Sequence, residues 1–261
     1  VAGGDIFCDP GDLEVRSLSF TGNRAFTDDE LAQRIVTTAS SWARRHLGVL
    51  GAKRCIDPTA EPSELQNDVY RLLQLYKYAG YYGTKVDTVV TPAGRDRVNV
   101  TFTIAEGEPI RIDSLSITGL DSVPNRQEIL ANLWVRVGRP FDQTRIATDQ
   151  DSILSRLRNS GYPGAEVLPS WTTRTDSLKV ARVSLTVLPG RRSRIGDIRI
   201  NVTPMEGRSV QIEERVVRKL LGIGTGELYR EKSLVAAQRS LYQTGAYRFV
   251  NVAPVSVVAL A

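Results

Sequence analysis

Histidine and methionine each occur once in this chain, and cysteine twice. The single His46 gives no H-x-x-H spacing, and Cys8 with Cys55 is too small a set for a zinc centre built from thiolates alone. No G-x-S-x-G, H-E-x-x-H or phosphate-loop pattern is present. No catalytic residue, metal ligand or cofactor is therefore assigned. A pair of carboxylates meeting in space is the enzyme class that the residues leave open. No apolar run approaches the roughly 18 residues of a membrane helix. Neither an initiator methionine nor a signal-peptide pattern stands at VAGGDIFCDP, so a processed start is expected.

Charge of one sign is also lacking. The chain carries 34 basic and 29 acidic residues, a net charge of +5. Its basic clusters, Arg44 with Arg45 and Arg191 with Arg192 and Arg194, do not alternate with aromatics on a strand face. That argues for solvated surface and against a nucleic-acid platform. Trp42, Trp134 and Trp171 fall in different elements and read as packing residues; Trp42, in an irregular basic stretch, is the one worth testing as an anchor. Cys8 and Cys55 have two readings, free buried thiols or one disulfide. As a bridge they would contribute roughly 4 kcal/mol on chain-entropy grounds.

What is present is a repeat. Residues 106–119, EGEPIRIDSLSITG, carry Ile112, Leu115, Ile117 and Gly119 in one spacing. Val15, Leu18, Phe20 and Gly22 repeat it upstream. Ile195, Ile198 and Ile200 repeat it downstream, with Val202 in place of the glycine. A strand signature that recurs in this way marks a tandem array, and 41% apolar residues suffice for its cores.

The first unit opens on a strand through Leu18 and Phe20, with Val15 out of phase as at a bulge. Thr27 and Glu30 make a capping box for one helix, and Ser63 and Gln66 for a second. The second carries Leu65, Val69, Leu72 and Tyr76 on one face and stops at Gly80. Residues 37–62 between them are irregular. A strand at 84–90, a turn at 91–96 with Pro92 and Gly94, and a strand alternating Val98, Val100, Phe102 and Ile104 complete the unit.

The second unit repeats the order. A strand at 112–118 leads to a helix capped by Asn125 and Glu128, then to a second helix through Ile146, Ile153 and Leu157 that ends at Gly161. A strand pair around 172–177 follows. The third unit has a strand at 195–201, a helix through Val217 and Leu221, a helix through Leu234 and Leu241 ending at Gly245, and one strand at 249–257. GIGTG at 222–226 follows a helix rather than a strand, so it reads as an interhelical turn. With the second unit as the period, the last strand of the third is missing, and a fragment of a longer chain is expected.

Each second helix ends in glycine near an aromatic: AGYYG at 79–83, SGYPG at 160–164 and TGAYRFV at 244–250. With the EGEPIRI joint, this order resembles POTRA domains, the polypeptide-transport-associated repeats of outer-membrane β-barrel assembly proteins of the BamA and TamA types. The resemblance implies an α+β fold of three tandem β-α-α-β-β repeats, at 12–108, 109–190 and 191–261. Each would be a small three-stranded mixed sheet covered by two helices. It further implies a place at the periplasmic face of the bacterial outer membrane, N-terminal to a membrane barrel. The implied partners are unfolded outer-membrane clients and accessory lipoproteins or chaperones. An oxidising periplasm in turn favours pairing of Cys8 with Cys55.

Small sheets have open edges, and an extended client can pair with one through backbone bonds that ignore its side chains. The family places such an edge at the second strand, here Lys85, Val86, Asp87, Thr88 and Val89, and Glu166, Val167 and Leu168. Plain surface blunted by Lys85 and Asp87 is the simpler reading for either edge. The alternatives in function are a two-partner secretion transporter, which has two such repeats by family pattern, and a free periplasmic adaptor. The joint at 106–112 is expected to be semi-rigid because Pro109 fixes its φ. The joint at 189–194, with Gly190 and three arginines, is expected to be looser unless the arginines pair with acids such as Glu213 or Glu214.

Overall fold

The computed structural model describes residues 8–41, 43, 51–176, 179–203 and 213–254. Trp42, Arg44, Arg45, His46 and the end of the expected strand at 249–257 lie outside the described residues. The chain divides into two compact units. One comprises Val1–Asp113, Val137–Thr144 and Thr173–Ala181, the other Ser114–Arg136, Arg145–Thr172 and Arg182–Ala261. Their borders run through the second expected repeat rather than along the joints.

The first unit contains β1 (Leu13–Thr21), α1 (Asp28–Ala32), β2 (Cys55–Ile56), α2 (Glu64–Tyr78), β3 (Lys85–Gly94) and β4 (Arg97–Ala105). Both capping boxes form: Thr27 closes on Glu30 and Ser63 on Gln66, each through reciprocal side-chain and backbone bonds. The sheet order is β2-β1-β4-β3, with β1 parallel to β4 and the outer pairs antiparallel. On β4, Val98, Val100, Phe102 and Ile104 are buried, as their alternation requires. A register shift between Val15 and Ser17 lets Val15 and Phe20 both face the core despite their odd spacing. The opposite face is a polar ladder, with Ser17 donating to Asn99 at 2.7 Å and Ser19 bonded to Thr101 at 2.9 Å.

Two expectations are corrected here. The sheet has four strands rather than three, because Cys55 and Ile56 within the irregular segment pair with Glu14 and Leu13. The turn expected at 91–96 narrows to Arg95 and Asp96, because β3 runs on through Pro92 to Gly94. Gly94, at φ 146°, absorbs a register shift there.

Beyond it come β5 (Arg111–Thr118), α3 (Arg126–Ile129), α4 (Gln143–Asn159), β6 (Glu166–Arg174) and β7 (Val180–Leu188), with sheet order β5-β7-β6. The short connection from β6 to β7 makes that pair antiparallel, since a parallel pair needs a crossover of a dozen residues or more. In the second unit Ile146, Ile153 and Leu157 form the buried face of α4. Asn125 does not cap α3 as expected; its amide donates to Ser160 Oγ at 2.9 Å instead.

Gly22 and Gly119 close the first strands of the two sheets at φ 82° and 89°. A Cβ would meet Ile104 O at 2.1 Å in the first and Val187 O at 1.9 Å in the second. The recurrent glycine of the strand signature is therefore needed for both backbone conformation and space.

The last part holds α5 (Glu214–Leu221) and α6 (Glu231–Gln243), packed through Val217, Leu221, Ala237 and Leu241. The strand expected at 195–201 is not formed; only a bridge of Arg194 with Leu228 is present. In the first repeat the opening strand is held by the closing strand, β1 by β4. Among the described residues no strand follows α6 to hold residues 195–201. GIGTG is the turn between α5 and α6, as expected, with Gly222 at φ 61°.

Candidate interaction edges and joints

β3 is an edge of the first sheet and β6 an edge of the second. The register of β3 tells which of its backbone groups point outward. Thr88 N–H donates to Asp87 Oδ1 at 2.8 Å rather than to β4, and Pro92, four residues on, has no N–H. In an antiparallel pair a residue either exchanges both bonds with its partner or makes neither. Both observations therefore place Val86, Thr88, Val90 and Pro92 outward and leave Lys85, Asp87, Val89 and Thr91 bonded to β4. Asp87 blunts the middle of this edge, and Pro92 its end. Val86 is partly buried against the core, while Val89 and Val90 are 47% and 42% exposed.

The edge of β6 is occupied to a similar extent. Val167 is buried, and its carbonyl accepts the Gln150 side chain from α4 at 2.8 Å. The same parity puts Pro169, without a donor, outward. Glu166 and Leu168 are exposed and direct their backbone toward β7. Of the two expected edges, β3 is the longer, with ten residues against nine.

Cys8 and Cys55 are bonded, with sulfurs 2.02 Å apart.

The joints share one backbone pattern. At the first, Ile110 N–H donates to the carbonyl of Gly80 (2.9 Å) and Ile112 N–H to Arg139 (2.9 Å), while Gly138 and Phe141 donate to Ile112 (2.8 Å) and Ile110 (2.7 Å). At the second, Ser193 donates to Gly161 (2.7 Å) and Ile195 to Glu227 (2.8 Å), while Gly226 and Tyr229 donate to Ile195 (2.7 Å) and Ser193 (3.1 Å). Arg111 and Arg194 even reach matching carbonyls, those of Gly138 and Gly226. The glycine that ends each second helix is thus the anchor of the next joint.

The second joint has further contacts. Asn159 Oδ1 accepts from Lys232 N–H at 2.9 Å, Arg158 pairs with Glu231 at 3.4 Å, and Arg192 donates to the Ser160 carbonyl. Glu213 and Glu214 pair with Arg215 and Arg218 rather than with the joint arginines. Two of the three joint arginines, Arg192 and Arg194, are held by carbonyls rather than by acids. At the first joint Lys179 bonds Glu108 at 2.8 Å and holds that carboxyl below its ordinary range. Nearby, Glu106 Oε1 accepts from Arg24 N–H, Ala25 N–H and the Tyr76 hydroxyl. Burial, then that bond, pushes the Tyr76 phenol far above its usual value.

Two residues that the sequence reading missed brace the helices. Asp68 accepts from Val36 and Thr37 N–H, both at 2.9 Å. Asp149 accepts from Trp134 (3.1 Å) and Val135 (2.7 Å). Each stands twelve residues before the glycine ending its helix, a spacing visible in the sequence. Among the described residues no helix is long and apolar enough to cross a membrane, and no cluster of acids, histidine and cysteine could hold a metal.

The family POTRA, surface antigen variable number repeat, matches residues 13–107 and again 110–188. The outer membrane protein assembly factor BamA of Neisseria meningitidis is 22% identical over 204 residues, covering 73% of this chain and 25% of that protein. A putative outer membrane protein assembly factor of Treponema pallidum is 21% identical over 234 residues, covering 87% of this chain and 26% of its own. The chain thus spans about a quarter of the length of these relatives. The crystal structure of Haemophilus influenzae BamA POTRA3-5 aligns with a TM-score of 0.49 at 21% identity, over 92% of this chain and 89% of that one. Two consecutive matches, one over each of the two sheets, make the assignment: the chain belongs to the POTRA family.

Proposed function

We propose that this chain is a periplasmic client- and partner-binding arm of an outer-membrane β-barrel assembly factor, made of repeats at 12–108, 109–190 and 191–261. Extended, unfolded barrel polypeptides pair with the edge of β3 along Lys85–Gly94, and accessory lipoproteins or chaperones dock elsewhere on the array. The role is binding rather than catalysis. The observation that carries the reading is the outward register of β3, in which Val86 and Val90 face away from β4 on an edge strand of ten residues. Backbone pairing there suits clients of many sequences.

The test is titration of a synthetic ten-residue peptide of alternating apolar and polar residues, followed by the amide resonances of β3. Binding should shift Val86 and Val90. Val90→Pro removes an outward donor and spares the ladder, so it should abolish binding while leaving the fold intact. Unchanged affinity in that variant would sink the proposal.

A further inference from the structure

The ladder of the two joints occurs a third time, at the start of the first repeat. Val15 N–H donates to the Arg54 carbonyl at 2.9 Å, as Ile112 does to Arg139 and Ile195 to Glu227. Glu14 pairs with Cys55, as Arg111 bridges Pro140 and Arg194 bridges Leu228. At the joints the next residue back, Ile110 or Ser193, is taken by the carbonyl of a helix-ending glycine. In the first repeat that residue is Leu13, paired with Ile56, and Cys55 is tied to Cys8. The disulfide thus fastens the strand that stands where residues 139–141 and 227–229 stand at the joints.

We propose that the Cys8–Cys55 disulfide is a redox-sensitive cap over a latent docking edge. Closed, it holds β2 on the outer edge of β1. Opened, it releases β2 and uncovers the outward backbone groups of Leu13 and Val15 for an extended polypeptide. Two paired residues anchor a strand weakly, and beside the disulfide only Ile56 in the core and the Arg54 N–H bond to Ser40 Oγ are seen to add to them among the described residues. In the opening step a thiolate of a dithiol reductant attacks one sulfur and forms a mixed disulfide. Its second thiol then displaces the protein sulfur, leaving Cys8 and Cys55 as thiols and the reductant as a disulfide. The docking half rests on the edge-pairing reading above; the cap half does not.

The cap is tested by amide hydrogen exchange on the whole chain, oxidised and in dithiothreitol, with Cys8→Ser as the reductant-free counterpart. Exchange at Val15 and Ser40, whose amides bond Arg54 O and Val15 O, should rise at least about tenfold. Ile112 and Ile195 in the equivalent joint ladders, and Val100 and Phe102 in β4, should keep their protection. Unchanged exchange at Val15 and Ser40 overturns the cap. An equal rise throughout β4 also overturns it, since that marks a staple acting on global unfolding. The docking half is read in the Val90→Pro chain, whose β3 edge is closed. The alternating peptide should shift Val15 only after reduction, and no binding in the reduced variant overturns it. Binding to β3 of the oxidised wild type separately decides the earlier reading.

Discussion

Asp68 and Asp149 occupy the same place in successive repeats: each is a buried carboxylate on the second helix that accepts two consecutive backbone N–H groups after the first. The carboxylate satisfies two adjacent donors, one of them on a buried residue in each repeat (Thr37, Val135), and so ties the second helix to the segment after the first.

Asp149→Ala should therefore lower stability by about 3 kcal/mol, and Asp149→Asn by roughly half as much, since one amide oxygen replaces two charged acceptors. Urea unfolding of the three chains measures this. A loss no larger than that of an exposed substitution on the same helix would contradict the role.

Gly119→Ala should cost about 3 kcal/mol or more, combining left-handed strain with a Cβ that has no room. Gly138→Ala shares a positive φ of 85° but has nothing within 4 Å of the added atom, so it should cost about 1 kcal/mol. Thermal melts of both variants separate space from strain.

Proline scanning of β3 checks the register. Val89→Pro removes a donor that bonds β4 and should cost roughly 2 kcal/mol or more, whereas Val90→Pro should cost clearly less. A larger loss at Val90 than at Val89 would show the register to be reversed.

Lys179→Ala should raise the Glu108 carboxyl toward its ordinary value of 4.5, because the lysine is what holds it down. The folded value lies below the unfolded one. The pair's contribution is thus present above the ordinary glutamate range and fades as pH falls through the depressed folded value. Carboxyl carbon shifts through an acid titration report the change, and an unmoved Glu108 would show that another group sets it.

Spin-label distances across each joint should be no broader at the second than at the first, given the shared ladder and the extra Asn159 and Arg158 contacts. Asn159→Ala should broaden the second distribution alone. A second joint already broader in the unaltered chain would mean that these bonds do not limit its motion.

Local chemistry made much of this protein legible from its residues. The strict alternation at Val98, Val100, Phe102 and Ile104, the two capping boxes and the glycines ending the helices depend on near neighbours in the chain, so they can be read along it. The recurring strand signature could be read for the same reason, and residues 13–107 and 110–188 match the family in turn. Pairing over long separations was another matter. Cys55 and Ile56 became a strand only because Glu14 and Leu13 offered an edge. Pro92 stayed within β3 only because its side of the strand faces outward. Asp68 and Asp149 acquired their role from loops brought to them by packing. Residues 195–201 carry a strand signature yet remain irregular. Their apolar spacing was set by the sequence, but forming a strand requires a hydrogen-bonding partner, and that is decided by what the tertiary structure places alongside.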